Sequence, residues 1–136
     1  MMAFTVNDVA VLFEPENEAY RQAFSALACE LDDLQEQLER ALKKGHKSGG
    51  KANAKAYGVG RNVGSAMREK LDALLGEGVC KEIYGDTPLF AMSQNTPLWF
   101  GLIEGLYGAM DAQQRPKNCA AVMMKYRTKR IARNRQ

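Results

Sequence analysis

The chain has 136 residues, of which 46% are hydrophobic and 26% charged, a balance typical of one globular domain with its own core. No apolar run approaches the ~20 residues that cross a bilayer, and the N-terminal residues lack the basic start of a secretion signal, so we expect a cytoplasmic protein with no membrane partner. The net charge of +3 hides a segregation: residues 114–136 carry eight basic residues and no acid, whereas the rest of the chain carries eleven basic and sixteen acidic residues, a net charge of −5. This asymmetry predicts a basic tail appended to an acidic domain.

Residues 4–13, FTVNDVAVLF, predict a short β-hairpin. Branched and aromatic residues flank Asn7 and Asp8, two residue types that tolerate the positive φ of a tight turn. Two strands are marginally stable alone and must pack on helices. The alternative is a single edge strand.

Residues 16–44 give the clearest helix prediction. Pro15 suits a first turn, nearby glutamates complement the positive end of the helix dipole, and Gly45 ends the helix. The apolar residues recur at intervals of four and three, which is a heptad seam. The seam consists of Tyr20, Phe24, Leu27, Leu31, Leu34, Leu38 and Ala41. It either covers the chain's own domain or extends to a partner or second copy, because about 40 Å of helix is long for so small a domain.

Residues 45–60 contain five glycines and no acid, which predicts a flexible, lysine-rich loop. Its Gly58-x-Gly60 pair does not have the spacing of a dinucleotide-binding fingerprint. A second helix is expected over residues 61–75, and Gly76 and Gly78 then break it.

Residues 96–113 predict a late apolar helix. Thr96 followed by Pro97 is a favourable opening, an N-cap before a proline at the first helical position. One face of this helix carries large apolar side chains, including Trp99, Leu102, Leu106 and Met110.

The basic tail, residues 114–136, is expected to be helical or disordered. A thin apolar stripe of Ala120 or Ala121, Met124, Thr128 and Ile131 runs along it if it is helical. Its basic residues fit either the phosphates of a nucleic acid or an acidic protein surface, such as the acidic first helix of a neighbouring copy. The candidate binding residues are Lys125, Arg127, Lys129, Arg130, Arg133 and Arg135.

Residues suited to catalysis or metal binding are sparse. Cys29, Cys80 and Cys119 are far apart and predict reduced thiols, with Cys80 acting as a small buried hydrophobe. The single histidine, His46, lies among glycines and lysines with no orienting partner. We therefore expect no enzyme, no cofactor and no metal site.

The segment LLGEGVCKEIYGD, residues 74–86, carries a family resemblance. Together with the hairpin of Phe4 to Phe13, its Gly76-Glu77-Gly78 and Ile83-Tyr84-Gly85 elements resemble the tail assembly chaperone-like proteins of tailed bacteriophages and prophages. The resemblance covers the chain to about residue 113. It implies a small, mostly helical, oligomerising protein that coats the tape measure protein before the tail tube forms around it.

The sequence thus predicts a mainly α fold: an N-terminal β-hairpin, three to four helices in a single domain over residues 1–113, and the basic tail. The predicted function is a non-enzymatic chaperone of the tail module, with nucleic-acid binding through the tail as the alternative. Partner or self-association is assigned to two apolar surfaces, Leu27, Leu31, Leu34 and Leu38 on the first helix and Trp99, Leu102, Leu106 and Met110 on the late one.

Overall fold

The structure, a computed structural model, describes residues 2–48 and 50–134, with side chains described for residues 2–44 and 58–131. It confirms a mainly α-helical fold that begins with an antiparallel β-hairpin. In chain order the elements are β1 (Met2–Val6), β2 (Val9–Phe13), α1 (Glu18–Ser48), α2 (Gly50–Leu75), α3 (Val79–Tyr84), β3 (Met92–Ser93), β4 (Thr96–Pro97), α4 (Leu98–Ala109) and α5 (Cys119–Asn134).

The N-terminal hairpin turns where the sequence predicts. Asn7 and Asp8 have φ values of 48° and 66°, the two positive values that a type I′ turn requires. The hairpin is fastened at this turn, because the Asn7 side-chain amide donates to the carbonyl of Ile83 at 3.2 Å. Strand alternation then directs Val11 and Phe13 into the core.

Strand β1 of the hairpin packs on α4 at Gly105. A Cβ placed on Gly105 would lie 2.5 Å from Cζ of Phe4, far inside van der Waals contact. The absence of a side chain at Gly105 therefore lets the Phe4 ring lie against the helix backbone.

Helices α1 and α2 form an antiparallel pair. Glu30 forms an ion pair with Lys70, and Leu38, further along α1, lies beside Gly60, earlier in α2. The loop predicted for residues 45–60 is wrong, since the described backbone of α1 continues past Gly45 to Ser48 and α2 begins at Gly50. Of that segment, residues 58–60 are fully described, and they belong to α2 rather than to a loop.

The predicted break after α2 is confirmed. Gly76 and Gly78 have φ values of 123° and 81°, a region that side-chain-bearing residues rarely adopt. Asp72, near the end of α2, then caps α3: its Oδ1 accepts a hydrogen bond from the backbone N–H of Cys80 at 3.0 Å. Satisfying this otherwise unpaired helix donor fixes the direction in which α3 leaves the turn.

A second small hairpin, β3–β4, precedes α4 and was not predicted. Gln94 and Asn95 occupy its turn with φ values of 53° and 68°. Pairing of Thr96 with Ser93 removes Thr96 from the helix, so Pro97 takes the N-cap position and the helix begins at Leu98. The helix ends at Ala109, earlier than the expected residue 113.

The C-terminal segment is part of the core, not an appended tail. Helix α5 buries Cys119, Val122, Met123 and Tyr126. The apolar stripe expected for this helix lies on its outer face, since Met124 and Ile131 are 71% and 53% exposed. The buried face is instead centred on Tyr126, whose ring packs between Trp99 and Phe100 with centroid distances of 5.2 and 4.9 Å.

Within the described part of the chain, none of the helices has both the length and the apolarity needed to cross a bilayer.

Candidate functional site

The apolar residues expected to bind a partner lie in the chain's own core. Leu27, Leu31 and Leu38 are buried against the rest of the molecule, and Leu34 is partly buried beside them. The apolar residues of α4, Trp99, Leu102, Leu106 and Met110, are each no more than 2% exposed. Apart from Leu38, which also lines the groove described below, the folded chain does not present these residues to a partner, because α2, α5 and the β1–β2 hairpin already cover them.

The basic residues of α5 are largely paired with acids of the same chain. Lys125 Nζ lies 2.7 Å from Asp32 Oδ1 and 2.6 Å from Glu36 Oε1, both on α1. Burial disfavours the charged amine, but the two carboxylates outweigh that effect and raise the pKa of Lys125. The acidic surface that the sequence predicts for the basic helix is therefore the chain's own α1.

A buried hydroxyl strengthens the same contact between α1 and α5. The Tyr126 hydroxyl donates to Asp32 Oδ1 at 2.6 Å. Burial, followed by this bond to a carboxylate, raises the pKa of Tyr126 strongly, so the phenol stays protonated and acts as a donor. Next to it, the Trp99 indole N–H donates to Gln35 Oε1 at 3.0 Å, which satisfies both buried groups.

Glu104 on α4 neutralises a second set of α5 charges. Its carboxylate lies 2.8 Å from Arg127 Nε and 3.0 Å from Arg130 Nη2. Burial alone would raise the pKa of Glu104, but the two arginines outweigh it and lower the pKa below 4.5. Lys129 lies over the Tyr126 ring at 5.1 Å. The side chains of Arg133 and Arg135 are outside the described residues.

The two buried thiols, Cys80 and Cys119, are not activated. Burial, with a further contribution from Asp72, raises the pKa of Cys80 to about 12, and burial raises the pKa of Cys119 to about 11. Both remain thiols near neutral pH, and Cys80 is the small buried hydrophobe that its sequence environment predicts. Across the described residues, no group of three or more His, Cys, Asp or Glu is placed to hold a metal ion.

An open apolar groove is the candidate functional site. It has a volume of about 710 Å³ and lies between the second half of α1, the middle of α2 and the segment of residues 86–92. We call it the hairpin groove, after the α1–α2 helical hairpin. Its lining residues are Gln35, Leu38, Glu39, Leu42, Gly60, Arg61, Gly64, Ser65, Arg68, Asp86, Pro88, Phe90, Ala91 and Met92.

Two glycines of α2 shape the wall of the groove. Cβ atoms placed on Gly60 and Gly64 would lie 4.0 and 3.3 Å from the Phe90 ring. The ring therefore packs directly on the helix backbone at these two positions, one turn apart. Glycine in a helix interior costs roughly 1 kcal/mol relative to alanine, and at Gly64 the position of Phe90 explains its use.

The segment that carries Phe90 is firmly attached at both sides. Arg68 of α2 donates to the carbonyls of Gly85 and Thr87, at 2.8 Å in the second case. The first amides of α4 bond back to the segment, Leu98 N–H to Ala91 O at 2.9 Å and Trp99 N–H to Leu89 O at 3.1 Å. The groove is thus preformed by backbone contacts.

Apolar side chains at the mouth of the groove face water. Leu42 is 49% exposed and Met92 is 54% exposed. Scattered exposed apolar residues are normal on a protein surface, but these two border an apolar cavity, where they extend a continuous contact surface.

The charged residues that line the hairpin groove are balanced, with Arg61 and Arg68 beside Glu39 and Asp86. The sequence from residue 40 to residue 68, which we call the basic stretch, contains eight basic residues and no acid. Arg40, Lys43 and Lys44 are exposed on α1 next to Leu42. Glu39 and Asp86 are the two acids that line the groove.

Sequence reasoning missed this groove because three separated segments build it. The one available signal was the Gly60 and Gly64 pair within a helical pattern, a spacing that predicts close approach of another part of the chain. A search of protein-family models, curated proteins and solved structures with this chain found no match.

Proposed function

We propose that this protein is a non-enzymatic binding protein that keeps an apolar segment of a partner protein in contact with its hairpin groove. One observation carries the proposal: a preformed apolar groove of about 710 Å³ is bordered by the half-exposed Leu42 and Met92. Grooves of this size that are rich in apolar side chains are the usual form of a binding site.

The biological setting that we propose is the tail module of a bacteriophage or prophage in the cytoplasm of a bacterial host. The support is the sequence resemblance of residues 4–13 and 76–85 to tail assembly chaperones. In that setting the partner is the tape measure protein, and the groove shields one of its apolar segments before the tail tube forms.

Self-association is part of the same proposal. Because the heptad seam of α1 is buried in the chain's own core, a homo-oligomer would use another surface. Met124, Thr128 and Ile131 are exposed and follow one another along the outer face of α5, so we assign contacts between copies to this face. Light scattering of the wild type and of the Ile131→Asp variant measures this self-association. Equal masses for the two proteins at high protein concentration would contradict the assignment to this face.

Co-expression tests the chaperone proposal. The gene is expressed with the longest predicted helical protein encoded beside it, which the proposal identifies as the tape measure protein. The expected result is a soluble complex with wild-type protein and with Leu12→Asp, and a loss of co-purification with Met92→Asp. Leu12 is the matched control because it is 54% exposed, like Met92, but lies on β2 away from the groove. A partner that is equally soluble alone, or equally retained by all three proteins, contradicts the proposal.

Nucleic-acid binding is the second candidate function, favoured by the acid-free basic stretch of residues 40–68. The original candidates on α5 support it less well, since Lys125, Arg127 and Arg130 have carboxylate partners. A protein that contacts several phosphates loses about a thousandfold in affinity between low and physiological salt. Gel-shift titration with Lys43→Glu and Lys44→Glu variants tests this function, and an affinity that these variants leave unchanged rejects it.

A further inference from the structure

One edge of the N-terminal β-hairpin carries main-chain groups without a partner. Its two-residue turn makes Val6 and Val9 a hydrogen-bonded pair, and bonded pairs then alternate with non-bonded pairs along the ladder. Ala3 and Thr5 belong to the non-bonded pairs, so their N–H and C=O groups point away from β2. Among the described strands, β2 is the one that pairs with β1. The opposite edge of β1 is therefore free to form a further ladder.

This free edge is also unprotected. Proteins commonly block an edge strand with a charged side chain, a proline or a bulge. Strand β1 reads MAFTV, with no charge and no proline, and its five residues pair with β2 in an unbroken register. Five residues is an ordinary length for a strand. Main-chain pairing with another extended chain is thus open to β1.

A cleft of about 540 Å³ lies along the free edge. Four consecutive residues of the hairpin, 4–7, line it. Because successive side chains of a strand point to opposite faces, a cavity that consecutive residues line lies at the edge of the strand and not on one face. None of the residues of β2, all of which are described, lines this cavity. We call it the strand cleft.

The strand cleft is bounded on two further sides. Leu98, Gly101 and Leu102 of α4 line it, and so does the turn of the β3–β4 hairpin. A Cβ placed on Gly101 would have no other group within 4 Å, so the space beside the helix is open at this position. A single extended chain can enter between the two hairpins. A second copy would have to bring its own β2 and helices with the strand, and the β3–β4 hairpin stands in their way.

The charges that line the strand cleft cancel. Glu104 and Arg130 are the two charged residues of its lining, and they pair with each other at 3.0 Å. Arg130 Nε, in contrast, is buried without an acceptor among the described residues, whereas most buried donors have one. An uncharged chain that supplies main-chain carbonyls suits this lining, because a charged segment would leave water without gaining a counter-charge.

We propose that the strand cleft binds an extended, uncharged segment of a partner protein, which pairs with β1 as a third strand of the sheet. Main-chain bonds to Ala3 and Thr5 supply the affinity, and contacts with α4 select the side chains. The strand cleft and the hairpin groove share no lining residue. This second site therefore goes beyond the proposed function and does not depend on it, and its occupant differs from the segment held in the groove.

Three fluorescein-labelled peptides test the proposal. The first has about six residues, the length of an ordinary strand, with threonine and valine in alternation. The second has the same side chains, but every main-chain N–H is methylated and cannot donate. The third has aspartate in place of each valine. Fluorescence anisotropy with the full chain should show the first peptide binding at least about tenfold more tightly than either of the others.

Two glycine variants assign this binding to the strand cleft. Gly101→Leu places a side chain in the open space of the cleft and should weaken the first peptide by about tenfold or more. Gly108→Leu is the matched control, because Gly108 is exposed in the same helix, has open space at its Cβ position and does not line the cleft. The control should stay within about twofold of the wild type.

Two proline variants assign the binding to one edge of the hairpin. Thr5→Pro removes an N–H from the free edge of β1, and Ala10→Pro removes one from the opposite edge, at the residue that faces Thr5 in the ladder. We expect Thr5→Pro to weaken the first peptide and Ala10→Pro to leave its affinity unchanged. Thermal unfolding checks that all four variants fold, and the glycine pair decides the question if a proline variant does not.

Four outcomes would overturn the proposal. Equal binding of the methylated peptide would exclude main-chain pairing, and equal binding of the aspartate peptide would exclude an uncharged occupant. Binding that Gly101→Leu leaves unchanged would place the peptide elsewhere on the protein. If the wild type dimerises and Gly101→Leu is a monomer, a second copy and not a partner segment pairs with β1.

Discussion

The two basic regions of the chain have different structural roles. On α5, Lys125, Arg127 and Arg130 are paired with carboxylates of α1 and α4, and the helix they belong to closes the core. In the basic stretch, residues 40–68, Arg68 donates to the backbone carbonyls of Gly85 and Thr87 and not to a carboxylate, and the adjoining apolar groove is open. The comparison teaches that a run of positive charge indicates a binding surface only after its pairing within the fold is known.

The same difference divides the molecule into two sides. On one side, which we call the packed side, the β1–β2 hairpin, α4 and α5 surround the buried Trp99 and Tyr126. On the groove side, Leu42 and Met92 are about half exposed next to a cavity. Substitutions on the packed side should therefore change stability, and substitutions on the groove side should change binding.

The largest expected effect is that of Gly105→Ala on the packed side. The new Cβ would lie 2.5 Å from the Phe4 ring, so the ring or the β1–β2 hairpin that carries it must shift, at a cost of about 1–3 kcal/mol in the free energy of unfolding. Gly101→Ala is the control in the same helix, because no other group lies within 4 Å of its Cβ position. Chemical denaturation should show the control to be as stable as the wild type or more so, and equal losses in both variants would contradict the packing assigned to Phe4.

Tyr126→Phe should have an effect of similar size. It removes the 2.6 Å bond to Asp32 and leaves the aromatic packing in place. A hydrogen bond to a charged acceptor contributes about 1.5–3 kcal/mol. Denaturation of Tyr126→Phe, Asp32→Asn and the double variant forms a cycle, in which strictly additive losses would show that the two groups are not coupled.

Glu104→Gln should have an effect that depends on pH. The pKa of Glu104 is lowered below 4.5 in the fold, so its contribution to stability is complete above pH 4.5 and is lost as the pH falls through the lower, folded-state value. Thermal unfolding across a pH series should show the variant less stable than the wild type near neutral pH and the two converging in acid. A difference in stability that stays constant across the pH series would contradict the role assigned to the pairing of Glu104 with Arg127 and Arg130.

Met92→Asp should have the smallest effect on stability. A half-exposed side chain at the mouth of the groove contributes little to folding, and surface substitutions of this kind stay within about 0.5 kcal/mol. Chemical denaturation of Met92→Asp and of the control Leu12→Asp measures this change in stability. A loss as large as that of Tyr126→Phe would place Met92 in the core and the division into two sides would fail.

Local chemistry made part of the fold predictable from the sequence. Asn7 and Asp8 identified the first hairpin turn, and Gly76 and Gly78 identified the break after α2, since few other residues adopt their φ values. The β3–β4 turn was missed because strands of two residues have no periodicity to detect.

Long-range contacts explain what the sequence did not reveal. The buried face of α5 is set by Tyr126, which bonds to Asp32 across 94 residues of sequence, so local apolar spacing did not reveal it. The heptad seam was found, but its spacing does not tell whether the covering helix belongs to the same chain. The hairpin groove combines residues 35–42, 60–68 and 86–92, a set that only the folded chain brings together.

Hydrogen exchange of the protein alone and in the co-purified complex with its partner tests the central claim most directly, because it locates the binding surface on the whole molecule. We predict that added protection is confined to residues 35–44, 58–68 and 86–92, with α5 unchanged. Protection concentrated on α5, with residues 86–92 unaffected, would contradict the assignment of partner binding to the hairpin groove.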